Sequence, residues 1–162
     1  MSAPERIDPV APKFGTSGLR GLAVELTDDL CATYAAAFAS QHANNGSLYV
    51  GQDKRESSAR IAAAVARGAA SQGLSIVDCG ILPTPAMAGA ALRAKTISIM
   101  VTGSHIPADR NGLKFYTAEG EFTKADEALL AMAMAGFETP RHVAPSVTTT
   151  NEPLEDHLAR YT

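Results

Sequence analysis

The stretch VTGSHIPADRNGLKFY, residues 101–116, places Ser104 and His105 in a polar loop directly after the apolar run TISIMV, with Lys114 on the apolar return. A serine just past the carboxyl end of a buried strand sits where open α/β sheets place their ligands. Its hydroxyl is a weak nucleophile, so chemistry at Ser104 requires a neighbouring base, or an electrophile activated by cations and a metal. His105 is poorly placed as that base, because neighbouring residues on an extended loop point apart. It suits binding or orienting a negatively charged group. Lys114, turned back toward the loop by Asn111 and Gly112, suits neutralising phosphate charge or moving a proton. Gly103 lets the backbone turn sharply and brings nothing bulky near the hydroxyl.

Two other stretches carry polar chemistry. KFGTSGLRG, residues 13–21, combines Gly15, Gly18 and Gly21 with Thr16, Ser17 and Arg20, and reads as a loop of exposed amides, hydroxyls and one fixed cation. Anion sites are built that way. VGQDKRES, residues 50–57, reads as a loop at a strand end, where Asp53 serves a helix N-terminus and Lys54 or Arg55 faces solvent or a phosphate, a structural role being favoured. Each stretch alone is also an ordinary turn composition.

The elements that must position these residues follow from periodicity. TDDLCATYAAAFASQHA, residues 27–43, predicts a helix capped by Thr27, with Asp28 and Asp29 in its first turn and Leu30, Tyr34 and Phe38 on one face. Further helices are expected over residues 56–73, 83–95 and 124–137, and strands over 47–53, 75–80 and 96–101. LKFYTAEGEF reads as a hairpin turning at Glu119 and Gly120. The alternation predicts an α/β fold, a mixed and mostly parallel sheet covered by helices, with residues 96–101 buried on both faces.

Composition bounds the class. With 162 residues, 46% hydrophobic and 19% charged, the chain can bury a core. A net charge of −3, 6% aromatics and no Trp argue against nucleic acid as a partner. Cys31 and Cys79 fit neither a disulfide framework nor a zinc spacing and read as small buried hydrophobes, which predicts a cytoplasmic location. No stretch has the length and apolarity of a membrane span or a signal peptide.

After Phe137 the run ETPRHVAPSVTTTNEP reads as an extended linker, and LEDHLARYT as the start of a helix whose Leu154, Leu158 and Tyr161 lack a partner. The expected division is an α/β domain over residues 1–137 followed by a linker and the start of a truncated domain over 138–162, with a loosely held end.

FGTSGLRG, GQDKR and VTGSHIPADRNGLKFY, in this order and separation, resemble the α-D-phosphohexomutases, the phosphomannomutase and phosphoglucomutase family. The resemblance runs from Phe14 to about Phe137. It implies that this chain is the first domain, that Ser104 carries a phosphoryl group, and that Arg20, His105 and Lys114 hold charge, orient it and assist proton movement. It implies phosphate contacts from Arg20, Thr16, Ser17 and Lys114, Mg2+ on an oxygen of phosphorylated Ser104, and a hexose 1,6-bisphosphate as activator. The substrate implied is a hexose phosphate, and the partners are the remaining domains of the parent chain, which supply the other metal ligands, sugar selection and a second phosphate clamp. The fragment is therefore expected to be inactive alone. The family usually writes the serine loop T-A-S-H-N-P; here Gly103 replaces the alanine, an exchange expected to be sterically mild, and Ile106 replaces the asparagine.

Two other readings are compatible with parts of the pattern. A non-catalytic sugar-phosphate or nucleotide binding module would use the glycine loop and cations without chemistry at Ser104. A serine hydrolase lacks the expected nucleophile elbow and an identifiable acidic partner.

Overall fold

Alternation of apolar and polar positions brings strands from both ends of the sequence into one sheet. The computed structural model describes residues 12–15 and 18–160. Its elements are β1 (Lys13–Gly15), β2 (Gly18–Leu22), α1 (Asp28–His42), β3 (Ser47–Gln52), α2 (Ser58–Ala70), β4 (Ser75–Ile81) and α3 (Thr84–Arg93). They continue as β5 (Ile97–Val101), β6 (Arg110–Thr117), β7 (Gly120–Glu121), α4 (Lys124–Met134), β8 (Val147–Thr149) and α5 (Glu152–Ala159).

The sheet order is β1-β2-β6-β5-β3-β4-β8, with β7 paired to β6. Strands β5, β3, β4 and β8 run parallel, whereas β1, β2, β6 and β7 are joined antiparallel. The expected mixed sheet is present, but its parallel part is half of the strands rather than most of them. One reason is local: residues 118–119 return the chain at once from β6 to β7, and only antiparallel strands can be joined so briefly.

Helices cover both faces. On one, α1, α2 and α4 pack over Leu48, Ile97, Ile99, Val101, Leu113 and Phe115. On the other, α3 and α5 cover Cys79, Met87 and Met100. Every residue of β5 is buried, Ser98 included, as a strand without polar alternation requires. Thr27 caps α1, its hydroxyl oxygen accepting the Leu30 amide at 3.2 Å. Thr123 and Asp126 form a reciprocal capping box at α4. Few as the aromatics are, Phe14, Tyr34, Phe38, Phe115 and Phe122 gather in one cluster, with the Phe38 and Phe115 rings 4.9 Å apart. Both cysteines are free and buried, and burial pushes each thiol up to about 12. Among the described residues, no helix is long and apolar enough to cross a membrane.

Two expectations are corrected. Residues 13–15 and 18–21 are paired antiparallel strands rather than loop, because β2 finds ladder partners along β6, Leu19 opposite Leu113 and Arg20 opposite Gly112. The tail is not an unpartnered extension either. Residues 138–146 lack regular structure, but the β-branched Val147–Thr149 run adds to the open edge of β4, Ile76 opposite Val147. Helix α5 then packs on α3, burying Pro153 and setting Leu154 against the Met87 and Met100 cluster. Leu158 stays 54% exposed, and Tyr161 lies outside the described residues.

These contacts predict two outcomes. A Cβ at Gly68 would stand 2.0 Å from the Ala32 carbonyl oxygen where α2 crosses α1. Gly68→Ala should therefore lower stability by about 1–3 kcal/mol in urea unfolding. Helix propensity alone would raise it by about 1 kcal/mol, so a stabilised variant contradicts the packing described. Leu154→Ala should cost about 1–2 kcal/mol and Leu158→Ala under about 0.5 kcal/mol, and equal effects would contradict the docking of α5.

Candidate functional site

The carboxyl ends of the neighbouring parallel strands β3 and β5 open into two loops that lock together. Residues 102–109 connect β5 to β6, and residues 53–57 connect β3 to α2. Asp53 is the joint between them. Its Oδ1 accepts the Arg55 amide at 3.1 Å and the Ser58 hydroxyl at 2.5 Å, and its Oδ2 accepts the Gly103 amide at 2.9 Å. Burial alone would raise the Asp53 carboxyl, but hydrogen bonds from Ser58, Gly103, Arg55 and Thr102 outweigh it and hold the group below its ordinary value. The expected service to a helix N-terminus is thus met at the turn before α2, and the same carboxylate also anchors the serine loop.

Arg55 fills the loop. Its Nη1 donates to the carbonyls of Pro107 and Arg110 at 2.6 and 3.1 Å, and its Nη2 to those of Ser104 and Ile106 at 3.2 and 2.6 Å. Its Nε lies 3.3 Å from Asp53 Oδ2, and the side chain is only 16% exposed. The structural role favoured for Arg55 holds, and the alternative of facing solvent does not. Below the loop, the buried Asn111 amide donates to the Ser57 and Ser58 hydroxyls at 2.8 and 3.0 Å.

Ser104 itself is exposed at the tip, with a left-handed backbone of φ +54°. Its amide donates to Thr102 Oγ1 at 3.0 Å. His105 is exposed beside it and makes no hydrogen bond or ion pair among the described residues. Arg20, half-buried on β2, donates from Nη1 to the Thr102 carbonyl at 2.5 Å, which sets a second guanidinium under the serine loop. Burial lowers its pKa, repulsion from Arg55 lowers it further, and attraction to Asp53 opposes both. Lys114 lies on β6, two residues beyond Gly112, the register partner of Arg20, so the two cations share one face of the sheet. Its Nζ stands 6.0 Å from the Tyr116 ring centroid, at a cleft between β6 and α3. The structure thus links Ser104 and Arg20 through Thr102, leaves His105 exposed next in the chain, and sets Lys114 on the sheet face that carries Arg20. Thr16 and Ser17 lie outside the described residues.

One glycine reading is corrected. Asn111 and Gly112 are not a return turn but the interior of β6. The turn is made by Ile106 bonding back to Gly103 and Arg110 to Pro107. A Cβ on Gly112 would lie 2.7 Å from Arg20 Cδ, so this glycine admits the arginine to the sheet face. A Cβ at position 103 would stand 2.0 Å from Arg55 Cζ, so an alanine there requires the end of that side chain to shift. Gly103 and Arg55 are remote in sequence, and nothing in their spacing announces that one fills the space of the other.

The arrangement offers an exposed hydroxyl on a fixed backbone with a cation beside it, which suits transfer of an anionic group more than acyl chemistry. Among the described residues, no group of three His, Cys, Asp or Glu side chains could hold a metal ion. One metal ligand from this chain is compatible with the exposed Ser104 side chain.

Comparison with known proteins agrees with this geometry. Residues 11–137 match the family model for phosphoglucomutase/phosphomannomutase, alpha/beta/alpha domain I. A phosphomannomutase of Sinorhizobium fredii (strain NBRC 101917 / NGR234) is 50% identical over 131 residues, covering 76% of this chain and 28% of that protein. A phosphoglucosamine mutase of Rhodococcus jostii (strain RHA1) is 43% identical over 115 residues, covering 66% and 26%. The crystal structure of a phosphoglucomutase/phosphomannomutase family protein from Burkholderia thailandensis superposes with a TM-score of 0.71 at 26% identity, over 88% of this chain and 33% of that one. The chain therefore spans about a third or less of the length of these relatives. A mixed sheet flanked by helices, a serine loop at its strand ends and a family match over most of the sequence lead to one assignment: the chain belongs to the phosphoglucomutase/phosphomannomutase family, as its first α/β/α domain.

Proposed function

We propose that the protein carrying this chain interconverts hexose 1-phosphate and hexose 6-phosphate through a phosphoserine at Ser104. The observation that carries the reading is the exposed Ser104 on a clamped left-handed backbone, with Arg20 bonded to the carbonyl of Thr102 two residues before it. In the first half-reaction a hydroxyl oxygen of the sugar phosphate attacks the phosphorus, the phosphorus–Oγ bond breaks, and a bisphosphorylated sugar forms. After the sugar reorients, Ser104 Oγ takes back the other phosphoryl group and releases the isomeric monophosphate.

Within this reading Arg20 steadies the charge on the transferred group. His105, exposed next to the serine, orients a phosphate oxygen, and Lys114 neutralises charge or relays the proton lost by the sugar hydroxyl. Thr16 and Ser17 would add phosphate contacts. Mg2+, held on this chain by an oxygen of phosphorylated Ser104, supplies Lewis-acid charge neutralisation when bound. A hexose 1,6-bisphosphate serves as activator by loading the serine. The opposing phosphate clamp and the remaining metal ligands belong to other domains, so this chain is the serine-bearing domain, residues 147–159 adding to its sheet edge and helix layer, and it is inactive alone. Mannose, glucose or glucosamine phosphate is then selected outside this chain.

In the mutase-length protein, Ser104→Ala should reduce turnover by more than about 10³-fold, the scale expected when a covalent nucleophile is lost, while sugar phosphate binding persists. Coupled-assay kinetics beside calorimetric binding check this. Turnover within tenfold of wild type would overturn the reading, and saturable binding by a wild-type protein that never turns over would favour a non-catalytic sugar-phosphate module.

A further inference from the structure

We infer that Arg55 is a positioning residue for Ser104, and that Gly103 is the position that admits its guanidinium. Four carbonyl groups, those of Ser104, Ile106, Pro107 and Arg110, converge on this one group, while Asp53 holds Nε from the other side and takes the Gly103 amide with the same oxygen. The planar fork of an arginine can satisfy these acceptors at once. A lysine ammonium, a point donor on a flexible stem, can reach only some of them.

The geometry controlled is specific. Ser104 adopts φ +54°, a region that side chains other than glycine, asparagine and aspartate rarely occupy. Its carbonyl is held by Arg55 and its amide by Thr102 Oγ1, so both flanking peptide planes are fixed and the Cα–Cβ bond leaves the loop in one direction. Asp53, Ser58 and Asn111 connect this clamp to α2 and β6 through buried hydrogen bonds. A methyl group at position 103 would occupy the place of the guanidinium, 2.0 Å from Cζ. Arg55 touches neither the serine hydroxyl nor the open side of the loop, so it acts on the chemistry through the backbone.

The kinetic part of the test rests on the mutase reading, and the structural part does not. In the mutase-length protein, Arg55→Lys should lower kcat by about 10²-fold, the scale of a nucleophile misplaced by about 1 Å, with KM for hexose phosphate within about twofold of wild type. In the 162-residue chain, hydrogen exchange at the Gly103 and Ser104 amides should quicken by about tenfold or more in Arg55→Lys, with the β5 amides unchanged. A kcat within twofold of wild type, unchanged exchange at Gly103 and Ser104, or loss of protection throughout β5 would each overturn the inference. If the wild-type protein shows no mutase turnover, the functional reading falls and the exchange measurement alone decides the role of Arg55.

Discussion

Loop 102–110 turns its carbonyl oxygens inward, and its shape depends on cations to receive them. Five of these carbonyls are taken by two guanidiniums, Thr102 by Arg20 and the other four by Arg55. Hydrogen bonds to charged groups contribute about 1.5–3 kcal/mol each, against about 1–3 kcal/mol for holding Ser104 in a left-handed conformation. Even with the exposed members of the set counted at a fraction of that range, the balance favours the clamped loop. The carboxylate of Asp53 completes the arrangement by opposing the charge of Arg55 and fixing the Gly103 amide.

Everything around the loop serves that placement. The wholly buried β5 brings the chain to the loop on a rigid strand, and β3 beside it delivers Asp53 and Arg55 from the same end of the sheet. The antiparallel β2 carries Arg20 across β6, where Gly112 leaves room for its side chain. Ser104 is left outside this framework, with its backbone ordered and its hydroxyl open. In the proposed reaction, the entropy of orienting this serine is then met in folding rather than at the chemical step.

Much of this was legible in the residues. Helix α1 follows from Thr27, Asp28 and Asp29, the burial of β5 on both faces from a run without polar alternation, and the serine loop from its position after that run. The family resemblance carried by FGTSGLRG, GQDKR and VTGSHIPADRNGLKFY covers nearly the same span as the matched family model. The β1–β2 hairpin was not legible, since Gly15, Gly18 and Gly21 weaken any strand pattern and only pairing with the distant β6 makes the segment extended. Strand β8 was missed for a similar reason, because Val147–Thr149 is short and exposed and needs the open edge of β4 to pair. The fit of Arg55 over Gly103 joins residues 48 positions apart, a relation that spacing does not express.

The central claim is that Ser104 carries the transferred phosphoryl group. Intact mass and peptide mapping of the mutase-length protein, before and after incubation with hexose monophosphate, test it most directly. The account predicts one phosphoryl group on the peptide containing Ser104, discharged by the monophosphate with a bisphosphorylated sugar as product. A phosphoryl group that resides on another residue, or that stays on Ser104 while turnover proceeds, would contradict it.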